Sequence, residues 1–284
     1  MKRKVLDNLI KSILIFLGLI AVGLTLFVFI YVLYRGRRVI SIRFLLDNPS
    51  GIPFGTAGGV FPAIIGTLML GGLSALIGGL LGILNGLYLS LYSKGTKSGR
   101  ILLHLITILS GLPSIIFGLI AYTLLIYKLG MGKSLLCSAI TISAMILPFI
   151  TIRAKKIFDE KGYTFFIESE SLGLSKPYII RKLIIPNCLG ELVGAVSLGM
   201  LYGMGAVAPI LYTGVVMNAP IPTSVNSPFM SLPYHLYMLA NSGYSDEYAL
   251  GTAFVLLAML IIIEILCHLF ASFREGVGFK RIFR

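Results

Sequence analysis

Long apolar runs separated by short polar segments dominate the sequence. A helix needs roughly 20 apolar residues to cross the hydrocarbon core of a bilayer, and six runs match or approach this length. We interpret them as six membrane-spanning helices at residues 10–34, 62–92, 101–127, 135–152, 188–216 and 248–271. The pattern therefore predicts an all-α, polytopic membrane protein with short connections between most of its spans.

The composition excludes two other classes of protein. Charged residues make up 12% of the chain and the mean hydropathy is +0.94, whereas soluble globular proteins carry about 25% charged residues. So few charges cannot cover a water-soluble body of this size. Disordered chains have low hydrophobicity, so the 57% hydrophobic content excludes disorder as well.

The positions of lysine and arginine predict the orientation. If the N-terminus is cytoplasmic, 18 of these residues fall on the inside and 6 on the outside. Cytoplasmic loops carry such an excess, so we expect both termini to lie inside a bacterial or archaeal plasma (inner) membrane. The net charge of +13 then reflects topology, and nucleic acid is not an expected partner. Arg35, Arg37 and Arg38 fall outside, where they would contact lipid phosphates or attract an anionic solute.

Residue types that carry catalysis or bind metals are scattered. No CxxC spacing exists among the three cysteines, and the three histidines are far apart, so no metal site is predicted. Residues 130–134 (GMGKS) lack the first glycine of a phosphate-binding loop, because Tyr127 holds that position. We therefore expect no ATP site or other cofactor in this chain. The scarcity of acidic groups within the spans, where only Glu191 and Glu264 occur, argues against a proton-driven carrier.

Two spans contain features that predict their packing. The second span is rich in glycine, and small residues let membrane helices approach closely, so we expect it to pack tightly on a neighbour. The third span contains Ser110-Gly111-Leu112-Pro113-Ser114. Proline removes a backbone donor, and broken membrane helices often line substrate paths. This segment is either a break beside a transport path or a simple packing kink.

The connection between the fourth and fifth spans is the longest predicted cytoplasmic segment. Its pattern predicts a helix over residues 156–172 and a turn at Gly173, since glycine commonly follows a helix end. Ser175 is a candidate cap, and Pro177 suits the first turn of a second helix that ends near Ile185. Such a helical hairpin would act as a rigid lever for a soluble partner.

The second half of this connection resembles the EAA loop of type I ABC-importer permeases. In that loop a glycine follows EAA, and an apolar-x-apolar-Pro ending comes ten residues later. Gly173, Leu183, Ile185 and Pro186 hold those positions. The resemblance places Glu168 one position after the expected glutamate, and Ser169 follows it.

The rest of the chain resembles phosphate-importer permeases of the PstA type. The similar segments occur in the family's order at residues 58–67, 111–118, 147–153, 208–213 and 229–233. The family usually has an Arg–Glu pair just before its Ala-Pro, and Tyr202 and Ala206 hold those positions here. Either a sister permease supplies the two charges or the solute differs.

The resemblance implies a permease subunit of an ATP-driven importer for inorganic phosphate, with another oxyanion or solute as the alternative. A membrane-embedded lipid-modifying enzyme would need a catalytic cluster, and we find none. The implied partners are a sister permease (PstC type), two ATPase subunits (PstB type) that bind the ATP, an extracytoplasmic phosphate-binding protein (PstS type) and the lipid bilayer.

The implied domain organisation has three parts. Residues 1–61 form an anchor helix and outer loop, 62–271 the permease domain with its coupling loop at 154–187, and 272–284 a basic cytoplasmic tail. Because a phosphate dianion is costly to dehydrate, we expect a weak path lined by hydroxyls and backbone amides. The candidate path residues are Ser110, Gly111, Pro113, Ser114, Tyr202, Ala206, Pro209 and Thr213.

Overall fold

Helices account for most of the chain that the computed structural model describes, residues 2–52 and 55–282. Helices α1 to α11 span Lys2–Gly36, Ile42–Leu46, Phe61–Leu87, Lys97–Ser110, Ser114–Ala121, Leu135–Ile157, Tyr163–Ser171, Lys176–Tyr178, Ile185–Met204, Leu232–Ser242 and Asp246–Ile282. π-helical turns lie at Tyr88–Tyr92, Tyr122–Lys128, Phe158–Gly162 and Ile179–Ile184. Two short antiparallel strands, β1 (Pro49–Ser50) and β2 (Ala57–Gly58), pair in the connection before α3.

The architecture confirms the prediction of an all-α membrane protein. Five helices of the described chain are long and apolar enough to cross a membrane, and a sixth span results if the bent pair α4–α5 is counted as one. The predicted basic tail begins inside α11, which continues to Ile282, and residues 283–284 of that tail lie outside the described residues.

The predicted fifth span was too long. We expected it to run from residue 188 to 216, but its helix ends at Met204. Gly205 follows as the cap residue, and residues 205–231 form turns with a single bridge between Val215 and Phe229. Gly205, a poor helix former, stands at the stop, and Pro209 keeps the helix from resuming because proline cannot donate the backbone hydrogen bond and restricts the residue before it. Hydropathy alone does not detect such a stop.

Glycines of α3 allow the closest helix packing in the bundle. A Cβ atom on Gly78 would lie 2.9 Å from Ile146 Cγ1 and 3.1 Å from Ser143 Cα. One on Gly86 would lie 2.7 Å from Ala154 Cβ. These contacts place α3 directly against the backbone of α6, and Leu70, Ile142 and Ile150 belong to the buried central cluster beside it. The expected tight packing of the second span is confirmed.

The connection between α9 and α11 folds back onto the bundle through buried polar contacts. The backbone N–H of Leu232 donates to Thr67 Oγ1 at 2.8 Å, which anchors α10 to α3. His235 Nδ1 lies 3.0 Å from Thr252 Oγ1, which connects α10 to α11. Burial lowers the pKa of His235 to about 4, so this histidine is neutral near pH 7 and serves the packing of α10.

Helix α1 contributes little to the packed bundle. In its apolar span from Asp7 to Gly36, no residue of the most apolar stretch is buried by the rest of the described chain. Its end contacts α11, where a Cβ on Gly36 would lie 2.8 Å from Phe254 Cβ. The packed bundle of the described chain is therefore built by α3, α6, α9 and α11, with α4, α5 and α10 against them.

The contact between α3 and α6 predicts a position-specific loss of stability. Gly78→Val places methyl groups against Ser143 and Ile146, and overpacking of this kind costs about 1–3 kcal/mol. Gly72→Val is the matched control, because nothing lies within 4 Å of a Cβ at Gly72 on the same helix. Thermal unfolding of the detergent-solubilised chain should show a clearly lower midpoint for the first variant only. Equal midpoints for the two variants would contradict the packing described.

Candidate functional site

The third span is broken at the predicted segment. Helix α4 ends at Ser110 and α5 begins at Ser114, and the two helices are bent by 102°. Pro113 has an extended backbone (φ −55°, ψ 137°) and takes the N-cap position of α5. Gly111 and Pro113 are exposed and Ser114 is half-buried. A bend of this size is far larger than a packing kink, so the open alternative is decided in favour of a true break.

A cavity of about 380 Å³ lies at this break, between α4, α5, α6 and α9. Two of the predicted path residues, Ser110 and Tyr202, line it. Ser110 Oγ donates to the carbonyl of Thr107 at 2.7 Å, and the Tyr202 side chain is 59% exposed. The wall opposite the break comes from one face of α6.

That face of α6 carries Arg153, the one basic side chain among the residues that line the cavity. Its guanidinium lies 5.0 Å from the centre of the Phe149 ring, a cation–π distance that holds the group at the cavity wall. Met145 and Pro148 complete the face. The cavity therefore offers one exposed positive charge, two hydroxyls and an otherwise apolar lining.

Sequence reasoning assigned Arg153 to the loop that follows the fourth span, and so missed its place in the cavity. The helix in fact continues to Ile157, which keeps Arg153 in register with Met145 and Phe149. A spacing of four residues places side chains on one face of a helix. This spacing was the signal in the sequence that could have identified the residue.

Gly111, Pro113 and Ser114 lie at the break itself but do not line the cavity. The last three predicted path residues lie deeper in the protein. Pro209 is buried, and its carbonyl oxygen would lie 2.8 Å from a Cβ on Gly118 of α5. Ala206 is half-buried against the central cluster. Thr213 is fully buried, with its hydroxyl 3.0 Å from Ser138 Oγ and 3.2 Å from the Pro209 carbonyl. These three residues shape the turn after α9, and the structure does not bring them to the cavity.

The predicted coupling loop is a helical hairpin whose two arms are continuous with the bundle. Residues 135–171 are helical without a break, and so are residues 176–204. We call residues 158–184 the hairpin. The helix predicted over 156–172 is thus a continuation of α6. The polar residues there do not interrupt the helix. Pro186 lies in the first turn of α9, directly after the π-helical turn Ile179–Ile184.

The turn of the hairpin is at Gly173, as predicted. Its φ of +79° lies in the left-handed region that glycine adopts without strain, and its N–H donates to the carbonyl of Glu170 at 2.9 Å. The buried Ser169 accepts at its carbonyl from the N–H groups of Leu172 and Leu174, both at 3.2 Å. Ser175 occupies the N-cap position of α8, but its side chain makes no capping hydrogen bond.

The arms are held together by an apolar core and by ion pairs. Phe158, Phe166, Ile179 and Ile184 are buried between them, in a cluster that continues into α6 and α9. Lys176 Nζ lies 3.3 Å from Glu170 Oε1 across the turn. A further ion pair between Lys161 and Glu191 joins the first arm to α9. The hairpin is therefore a packed extension of the bundle.

The tip of the hairpin presents apolar side chains to its surroundings. Leu172 is 80% exposed, and Phe165, Ile167 and Tyr178 are exposed beside it. Of the predicted coupling residues, Glu168 and Pro186 are exposed, Leu183 and Ile185 are half-buried, and Ser169 is buried. An exposed apolar tip of this kind is typical of a contact surface for another protein.

A family comparison identifies this arrangement. The model of the family described as "Binding-protein-dependent transport system inner membrane component" matches residues 78–275. The chain belongs to that family. The match covers the broken third span, the cavity, the hairpin and most of the last span.

Relatives and solved structures agree with this assignment. The chain is 28% identical over 266 residues to the phosphate transport system permease protein PstA 2 of Mycobacterium bovis, covering 92% of this chain and 86% of the relative. It is 25% identical over 286 residues to a probable phosphate transport system permease protein PstA of Methanocaldococcus jannaschii, covering 97% and 96%. An inward-facing MetNI methionine ABC transporter matches with a TM-score of 0.62 at 17% identity, over 75% of this chain and 94% of the other. This last match shows the importer-permease fold.

The cavity predicts a pattern of chemical accessibility. Cysteines at positions 110 and 202 should react with a charged, water-soluble thiol reagent, because both side chains line the cavity. Thr213→Cys is the matched control and should stay unreactive, since that position is fully buried. The natural cysteines are replaced by serine beforehand, and labelling is measured by mass spectrometry in membranes. Labelling of position 213 as fast as position 110 would contradict the assignment.

Proposed function

We propose that this permease forms one half of the membrane path of an ATP-driven importer of inorganic phosphate. The relatives that cover nearly the whole chain carry phosphate transport in their names, which supports phosphate as the cargo. The observation that carries the proposal in the structure is the position of Arg153 in the cavity at the broken span. It supplies one positive charge where a phosphate anion would pass.

A single exposed guanidinium suits passage better than tight binding. Removing water from a phosphate anion is costly, and a high-affinity site would need several buried donors to compensate. Arg153 offers bidentate hydrogen bonds in a fixed planar fork, while Ser110 and Tyr202 offer hydroxyls. Such a site compensates only part of the dehydration, so the anion is released readily to the cytoplasm.

Tight recognition is then the task of a separate receptor. The family description itself names a binding protein, and we propose an extracytoplasmic phosphate-binding protein of the PstS type. A sister permease of the PstC type completes the path. We place both termini in the cytoplasm on the excess of lysine and arginine at the hairpin end, so that the receptor docks at the opposite end of the bundle.

We assign ATP hydrolysis to two partner subunits of the PstB type, which would bind the hairpin. The exposed Leu172, Ile167 and Phe165 would fill a groove on the ATPase. Because α6 is continuous from the hairpin to Arg153, a displacement of the hairpin also moves the wall of the cavity. Closure and opening of the ATPase pair would in this way alternate access between the two sides.

One observation favours another oxyanion as the cargo. Tyr202 and Ala206 hold the positions where the family usually has an Arg–Glu pair, and Tyr202 lines the cavity. An importer for another oxyanion would share the same architecture. ATPase stimulation of the reconstituted assembly by receptor loaded with phosphate, sulfate or molybdate distinguishes these cargoes.

Replacing Arg153 provides the direct test. Arg153→Gln should lower the rate of radiolabelled phosphate uptake about tenfold or more, because a hydrogen bond to a charged group contributes roughly 1.5–3 kcal/mol. Arg153→Lys should keep part of the rate, since it retains the charge and loses the planar fork.

Lys128→Gln is the control, an exposed cation at the opposite end of the bundle. Uptake is measured in cells whose membranes contain equal amounts of each variant. If Arg153→Gln takes up phosphate at the full rate, the cavity is no evidence for an anionic cargo, and the structural part of the proposal is contradicted.

A further inference from the structure

A second cavity, of about 230 Å³, lies at the hairpin end of the bundle, apart from the proposed path. It is formed where the π-helical turn after α3 leads into α4, and α6 closes its other side. Leu89 and Leu103 line its apolar part, and Thr96 lies at its polar edge. Neither the proposed transport route nor the ATPase contact uses this space.

The charges around this cavity are strongly unbalanced. Lys94, Arg100 and Lys155 all line it. Lys155 forms an ion pair with Asp159, whereas no carboxylate of the described chain forms an ion pair with Lys94 or Arg100. Three cations therefore face one carboxylate. A ligand that carries negative charge would balance the excess.

The start of α4 adds to the positive potential. Thr96 caps this 14-residue helix by accepting from the N–H of Gly99 at 3.1 Å. Thr96 and Gly99 at this helix start line the same cavity as Arg100, and the positive ends of helix dipoles favour phosphate groups. The three cationic side chains are the main attraction, and the helix end strengthens it.

The apolar part of the lining indicates the kind of anion. Beyond the cavity, α4 continues with exposed apolar residues Ile101, Leu105 and Ile108, on the face opposite Gly99 and Leu103. Leu89 and Leu103 give the cavity an apolar wall beside its basic rim. Basic pockets between membrane helices at this boundary bind anionic lipid headgroups, because the phosphate meets the cations while the chains stay in the bilayer.

We propose that this cavity binds a phosphate group, supplied by the headgroup of an anionic phospholipid. Free inorganic phosphate presents the same chemistry without the apolar part. The bound group would connect Arg100 of α4, which belongs to the broken span, with Lys155 at the root of the hairpin. Lys94 extends the connection, since its Nζ lies 3.4 Å from the centre of the Tyr163 ring in the first arm. Lipid occupancy would in this way stiffen the junction between path and hairpin.

The test measures binding to the purified full chain in neutral detergent. Short-chain phosphatidylglycerol, phosphatidylcholine and inorganic phosphate are titrated separately, with dissociation constants taken from native mass spectrometry. Phosphatidylglycerol should bind best, and Lys94→Gln and Arg100→Gln should each weaken it about fivefold. Lys97→Gln is the matched control, because this lysine precedes Arg100 by one turn of α4 and does not line the cavity.

A photo-activatable phosphatidylglycerol on the wild-type chain gives a second measurement that needs no variant at the site. Cross-links should concentrate between residues 89 and 103, and inorganic phosphate should compete with them only at much higher concentration. Equal competition by inorganic phosphate would support the phosphate site with the free anion as its ligand. Equal weakening by Lys97→Gln, unchanged binding in both cavity variants, or cross-links elsewhere would overturn the proposal.

Discussion

The close contact between α3 and α6 is the constraint on which the rest of the structure depends. In a lipid environment apolar side chains gain little from leaving the solvent, so helices associate through dispersion contacts and backbone proximity. Gly78, Gly82 and Gly86 supply that proximity by letting α6 lie against the backbone of α3. This contact fixes α6, and α6 in turn carries both the cavity wall and the first arm of the hairpin.

The continuity of the helices gives the bundle its mechanical character. The fourth span enters the hairpin without a non-helical residue, and the second arm re-enters the bundle in the same way. A buried core around Phe158 and Ile184 holds the arms together, and the ion pair between Lys161 and Glu191 fastens one arm to α9. The third span is different, because its break leaves α4 and α5 free to take separate directions. The structure thus combines one continuous lever with one broken span on opposite walls of the same cavity.

Much of this fold could be predicted from local chemistry, and the failures have local causes. The break at Pro113, the turn at Gly173 and the glycine contacts of α3 each follow from a residue type with a strong backbone preference. The end of the fifth span at Met204 was missed because hydropathy does not register the stop at Gly205 and Pro209. Arg153 was missed because a charged residue ends an apolar run in sequence without ending the helix. Thr213 was expected in the path on its polarity, whereas its hydroxyl hydrogen bonds are made inside the protein.

The central claim is that the hairpin moves the cavity through the unbroken helix of α6, and its junction at Phe158–Gly162 offers the most direct test. Residues 159–161 are replaced by three glycines in one variant and by three alanines in its control, so that both lose the same ion pairs. The glycines weaken helical continuity by about 1 kcal/mol per residue relative to alanine.

The measurement is phosphate uptake per ATP hydrolysed in the reconstituted assembly. We expect the alanine variant to keep the ratio and the glycine variant to hydrolyse ATP with little uptake. Equal ratios in the two variants would contradict the account.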